Sequence, residues 1–182
     1  PELQNYFSAR ILEQLTGSTA YPTFGMDGLF LDNIDLSWSR FTQMGSTPKE
    51  FISSQAFADS VFNFVSHIHN QLHVNGRNFP VFGNMTGGSS GAADWNRYQP
   101  VLEGGLKEDF VLNWGRGPYS STTILNQLTQ MESWIATGNY YIAAAPANLW
   151  NDCPNNTVCN GIHPKFDKEA RFALAAFLLA TE

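Results

Sequence analysis

The chain predicts an α/β fold of parallel βα repeats, either a (β/α)8 TIM barrel or the C-terminal part of one. Two observations carry that reading. Short apolar runs that fit strands alternate along the chain with longer amphipathic stretches that fit helices, and Gly-rich or polar clusters separate them. With 182 residues, 43% of them apolar and 14% aromatic, a single domain spanning 1–182 has material enough for a core.

Leu3, Phe7, Ile11 and Leu15 recur every four residues, Pro1 and Glu2 suit a first turn, and Gly17 suits a C-terminal cap. This predicts an opening helix. After the loop "STAYPTFGM", the stretch "DGLFLDN" is short and apolar, as expected of a strand buried on both faces. Residues 54–73 then place Phe57, Val61, Phe64, Val65, Ile68 and Leu72 on one helical stripe. The cycle returns with "FPVFGNM" (79–85) as a strand, a Gly-Ser loop, and a short helix around Trp95 to Leu102. It returns again with "GGLKEDFVLNW" as a strand, "STTILNQLTQMESWIATG" as a helix closed by Gly138, and "YYIAAAP" as a strand. Asp167 suits the cap of a last helix, "KEARFALAAFLLATE". Four such units are half of a barrel whose usual length is about 250 residues, so either further staves belong to the rest of a longer chain or the sheet is open. The start at "PELQNYF", without an initiator Met or a signal peptide, fits a piece of something longer.

Ten Lys and Arg against sixteen Asp and Glu give a net charge of -6, and no basic cluster interleaves with aromatics. Nucleic acid and anionic membrane are therefore not expected partners. Cys153 and Cys159 lie close together in the turn-rich "NDCPNNTVCNG", where a local disulfide closes easily. With sequons at Asn84 and Asn155, they lean toward a secreted or cell-surface setting.

In parallel α/β folds the ligand site lies at the C-terminal ends of the strands. Asp32 closes the first predicted strand and Asn84 the second; Glu108 and Asp109 fall within or at the end of the third, and Asn148 to Asp152 follow the fourth. Strand alternation puts Gly28, Phe30 and Asp32 on one face, and Leu106, Glu108 and Phe110 on one face. Two converging carboxylates are the equipment for glycoside hydrolysis, one stabilising or attacking the oxocarbenium-like centre and the other donating a proton to the leaving oxygen. Trp38, Trp114 and Trp150 follow strand ends, where an indole can stack on a sugar ring. Asn33 and Asp35 complete the candidate substrate-binding set. The alternative structural roles are a turn cap for Asp32, a Lys107 or Arg116 pair for Glu108, and core positions for the tryptophans.

"MDGLFLDNID" resembles the strand with the pattern DG, two hydrophobic residues and LDN found in glycoside-hydrolase-like (β/α)8 barrels, including those related to endo-α-1,4-polygalactosaminidases. "LEGGLKEDFVLNW" is similar to a later strand of such proteins, and "RFALAAFLLA" to the helix that follows it. The resemblance implies strands four to seven of the barrel, a carbohydrate substrate, Asp32 as nucleophile or charge stabiliser and Glu108 as general acid/base. The remaining staves would come from the rest of the parent chain. No metal and no other cofactor is implied. Asp109 competes with Glu108, since the chain reads "KED" at that point.

Three further signals point elsewhere. "GGSSG" at 87–91 matches G-x-S-x-G and is followed by Asp152 and His163, the order of an α/β-hydrolase-type serine esterase with Ser89 as nucleophile. The run is simply Gly-Ser-rich, with Thr86 and Gly87 intervening after the strand, and a plain βα loop fits it better. His69 and His73 stand one helical turn apart in "HIHNQLH" and could share a metal, while His67 points away from the apolar stripe; a solvated helix end is the favoured reading. His163 in "GIHPKF" is expected to order a loop. A carbohydrate-binding barrel without catalysis is the remaining alternative, and "GRG" and "TGGSSG" lack the Lys of a phosphate loop.

Overall fold

The computed structural model describes residues 2–17, 25–86, 92–113, 117–145 and 164–180. The elements run α1 (Glu2–Thr16), β1 (Leu29–Asp35), α2 (Ser39–Gln43), α3 (Ser54–Leu72), β2 (Val81–Thr86) and α4 (Ala92–Asn96), then β3 (Gly104–Lys107), β4 (Leu112–Asn113), β5 (Gly117–Pro118), α5 (Ser121–Ile135), β6 (Tyr140–Ala143) and α6 (Pro164–Leu179). The fold is α/β: a four-stranded parallel sheet has the order β1-β2-β3-β6, and β4 and β5 form a separate antiparallel ribbon. Two compact units make up the chain, Pro1–Ser89 with Arg97–Gly105, and Ser90–Asn96 with Leu106–Glu182. Among the described residues, no helix is long and apolar enough to cross a membrane.

In the first unit, Gly17 ends α1 at φ 78°, a conformation that favours glycine, and its N–H closes on the Glu13 carbonyl at 2.8 Å. The predicted stripe of α1 is only partly covered. Leu15 is buried, but Leu3 is 66% and Phe7 44% exposed, with Phe7 meeting the edge of Phe64 at 6.0 Å between centroids. Helix α3 is capped by Ser53, whose hydroxyl accepts the Ala56 N–H, and it buries Val65, Ile68 and Leu72. With Ile34, Leu36, Val81, Met85 and Leu102 these form the core of the unit, each worth about 1.5–3 kcal/mol if fully buried. A side chain at Gly83 would meet the methyl ends of Ile34 and Leu102, which would have to shift to admit it.

Strand β2 is buried along most of its length, but β1 is not the doubly buried strand its sequence predicts. Phe30 is 48% exposed, and Asp32 and Asn33 are exposed. Among the described residues β1 is the edge of the sheet, and its bulge turns Asp32 and Asn33 outward.

In the second unit, α5 is capped by Ser120 and closed by Gly138 at φ 85°. Trp134 is fully buried in it, edge-on to Trp95 at 5.3 Å, and donates its indole N–H to the Tyr140 carbonyl at 2.9 Å. Three boundaries differ from expectation. Helix α4 ends at Asn96, and residues 97–101 are turns, so the helix predicted from Trp95 to Leu102 is displaced toward the N-terminus. Helix α6 begins at Pro164, which puts Asp167 inside its first turn and not at its cap. The predicted strand "GGLKEDFVLNW" breaks into β3, a turn, and β4, because Val111 adopts φ 54° and the Leu112 N–H closes a three-residue turn on the Phe110 carbonyl at 2.7 Å.

Candidate functional site

Strand β1 does not end at Asp32 but continues to Asp35. Its pairing with β2 runs Leu29 with Val81 through Leu31 with Gly83, then resumes at Ile34 with Met85. Asp32 and Asn33 therefore stand opposite the single residue Asn84, the two-against-one count of a β-bulge. Asn33 takes φ 54°, a left-handed conformation that Asn tolerates better than other non-glycine residues. The bulge resets the alternation: Asp32 and Asn33 face solvent, while Ile34 and Asp35 turn inward.

The Asp32 carboxylate is exposed yet held. Asn84, only 1% exposed, donates its amide to Asp32 Oδ1 at 2.9 Å. The Asn33 backbone N–H donates to the same oxygen at 3.0 Å, and the Asn33 amide to Oδ2 at 2.8 Å. Arg40 in turn donates to Asn33 Oδ1 at 2.8 Å, tying α2 to the bulge. The buried Asn84 Oδ1 has no hydrogen-bond partner among the described residues. Asn84 is thus a positioning group, and at 1% exposure it is no site for a glycan, which corrects the reading of its sequon. Asp35 accepts the Thr86 hydroxyl at 2.8 Å and is buried, so it braces the ends of β1 and β2.

Trp38 stands immediately before α2, half-buried, with its backbone N–H on the Ser54 hydroxyl at 3.2 Å. It lines a cleft of about 550 Å³ with Ser39, Thr42, Gln43 and Ser54, an indole surrounded by hydroxyls and an amide.

Glu108 and Asp109 belong to the second unit and sit in the turn after β3, not in a strand. They differ in their commitments. Asp109 pairs with Lys107 and accepts the Tyr119 hydroxyl. The half-buried Glu108 has no hydrogen bond or ion pair among the described residues, so the Lys107 pairing considered for it goes to Asp109 instead. The turn is held from below by Gln127, 2% exposed, whose side-chain oxygen accepts the Val111 N–H at 2.6 Å. Burial, with the Asp109 charge behind it, raises the Tyr141 hydroxyl far above its usual range, which keeps it protonated.

A second cluster stands at the other end of β2. His69, on the last turn of α3, and His73, which caps it, stack with ring centroids 4.0 Å apart and planes at 24°. Their Nε2 atoms lie 3.3 and 3.2 Å from one oxygen of Glu103. The other Glu103 oxygen accepts the Val81 N–H at 2.6 Å, and the Glu103 N–H donates to the Val81 carbonyl at 2.9 Å. The histidine side chains are only 17% and 20% exposed, which corrects the expectation of a solvated helix end. His67 instead meets the Ser8 hydroxyl of α1 at 3.2 Å. Sequence reading missed Glu103: only the HxxxH spacing signalled the cluster, and the third member lies far along the chain at the foot of the next strand.

The structure thus brings Asp32, Asn33 and Asn84 together. Trp114, Trp150, Ser89, Asp152, His163, Asn155, Cys153 and Cys159 lie outside the described residues. No family model matches the chain, and neither a curated protein nor a solved structure matches it.

Proposed function

We propose that the chain is part of a (β/α)8 barrel glycoside hydrolase that cleaves a polysaccharide or oligosaccharide through Asp32 and Glu108. One observation carries the reading: midway along a parallel strand, a bulge turns Asp32 out to solvent while a buried Asn84 amide fixes its carboxylate. A structural acid has no need of an exposed oxygen aimed by a buried donor; an acid that meets a cationic transition state does. Bulges beside active sites serve to re-aim a side chain in this way. Glu108 serves as proton donor because Asp109 is already engaged by Lys107 and Tyr119, and the Trp38 cleft offers an indole with hydroxyl and amide partners suited to a sugar.

The test is release of reducing ends from α-1,4-linked galactosaminan and from aryl glycosides, with Asp32→Asn and Glu108→Gln compared with the parent. Asp32→Asn is expected to lower kcat by at least about a thousandfold, roughly 4 kcal/mol of barrier, without loss of fold. Turnover within a few-fold of the parent overturns the assignment. Sugar binding that survives in Asp32→Asn, with no turnover in the parent, turns the reading to a non-catalytic carbohydrate-binding barrel.

A further inference from the structure

We propose that His69, His73 and Glu103 form a divalent transition-metal site, with zinc as its natural occupant, that pins the end of α3 to the feet of β2 and β3.

The argument begins with a proton. A carbonyl oxygen can only accept, so the 2.8 Å contact between His73 Nδ1 and the His69 carbonyl puts the His73 proton on Nδ1. The neutral ring then presents a bare Nε2 lone pair, and what it faces, at 3.2 Å, is another acceptor, a Glu103 oxygen. Two lone pairs pointed at each other repel unless a cation or a proton lies between them. His69, whose Nδ1 makes no such contact, can donate from Nε2 as a neutral ring, so the mismatch lies between His73 and Glu103. A metal ion satisfies all three groups at once.

The geometry fits. Ligand atoms bound to a tetrahedral ion at about 2.0–2.1 Å stand about 3.3–3.4 Å apart, and the two nitrogen-to-oxygen separations here are 3.3 and 3.2 Å. One ligand atom from each of the three residues falls within 4.8 Å of the other two. Two imidazoles and a carboxylate are a borderline donor set that suits zinc, and partial exposure leaves water as the fourth ligand. The outer contacts are those that orient metal ligands: the His69 carbonyl holds the His73 ring, and the Val81 N–H holds the Glu103 carboxylate. The buried His69 Nδ1 has no partner among the described residues, which makes His73 the better oriented ligand of the two.

Position decides the role. Glu103 is bonded to Val81, the first residue of β2, whereas Asp32 is bonded to Asn84 near the last. The metal therefore sits at the N-terminal end of β2, where conserving a link between elements contributes to stability and not to turnover.

Zinc alone, titrated into the chain by calorimetry and by competition with a chromophoric chelator, should bind one ion per chain and raise Tm relative to protein in EDTA. Cobalt in its place should give the visible absorption of a low-symmetry site. His73→Gln should weaken binding at least tenfold, and His69→Gln somewhat less. Glu103→Gln keeps an acceptor for Val81 and so keeps the fold, but it should also weaken binding tenfold. Asp32→Asn should leave binding unchanged. Absence of a Tm shift with zinc in the parent, or equal affinity in His69→Gln/His73→Gln, overturns the site, the latter by placing the ion elsewhere.

Discussion

Two carboxylates stand at opposite ends of the β2 strand, and their surroundings could hardly differ more. Asp32, on the partner strand beside Asn84 in the C-terminal half of β2, is exposed and among the described residues receives only neutral amide donors, from Asn84 and Asn33. Glu103, at the N-terminal end, is partly covered, anchored by the Val81 backbone, and faced by two imidazole nitrogens. Amide donors orient an acid without supplying an opposing charge, which suits it to meet a cationic centre that comes and goes. The His73 imidazole, its Nδ1 proton held by a carbonyl, turns a lone pair on the acid, which suits the pair to share a cation. The strand pair is the same; what each carboxylate faces sets what it can do.

That contrast fails first at Asp32 if it fails at all, since the thousandfold loss expected of Asp32→Asn is the largest effect and leaves the zinc end untouched. The converse holds for zinc: His73→Gln should lose metal affinity and the zinc-dependent part of Tm while leaving turnover nearly as it was. A variant that damaged both ends equally would mean that the two sites are one cooperative structure and not two. Asn84→Ala comes next. It removes the buried donor but leaves the acid, so kcat should fall by about 10²-fold with KM little changed, as when a reacting group is misplaced by an ångström. An unchanged kcat would mean that Asn33 alone aims Asp32.

The second unit provides a measure of how much a strained turn costs to hold. Val111, a β-branched residue at φ 54°, is a backbone outlier, and strain of this kind gathers at functional segments. It lies two residues after Asp109 and is fully buried, with its N–H on Gln127. Gln127→Leu should leave that N–H without a partner and destabilise the chain by about 1–3 kcal/mol, read as a lower urea midpoint. If Glu108 is the proton donor, the same variant should also reduce kcat, because the turn carries it. A stability loss without any loss of rate would separate the strain from the chemistry.

Much of the fold was legible in the chain because it rests on repeated signals. The α3 stripe and its Ser53 cap, the run "FPVFGNM", and the glycines after α1 and α5 each state their structure locally. Asp32 was legible as an acid on a strand, but its bulge was not, since a two-against-one register exists only relative to β2. The turn after β3 was hidden for a different reason: a left-handed residue announces itself when it is Gly or Asn, and here it is Val111. Glu103 was the least legible. Nothing in "VLEGG" marks it, and it acquires meaning only when Val81 and the two histidines are brought beside it. Local chemistry was readable; the pairing of distant chemistry was not.

Asp59 is the control for both ends of the comparison, an exposed carboxylate with neither a bulge nor imidazoles around it. Gln55 donates to it at 2.9 Å and Arg97 at 2.7 Å, and these contacts, Gln55 foremost, hold its carboxyl below the ordinary value of 3.8. A depressed folded value stabilises the chain above the ordinary carboxylate range, and that contribution disappears as pH falls through the folded value. Asp59→Asn should therefore lower the urea midpoint slightly at neutral pH, with the gap closing in strong acid. The effect is small because Asp59 is solvated and because Arg97 keeps its place over the Phe62 ring, 4.4 Å from the centroid, when the acid is gone. A gap that persisted in acid would mean that the Gln55 and Arg97 geometry, and not the charge, carries the contribution. In that case the neutral donors on Asp32 would have to be credited with stability as well as aim.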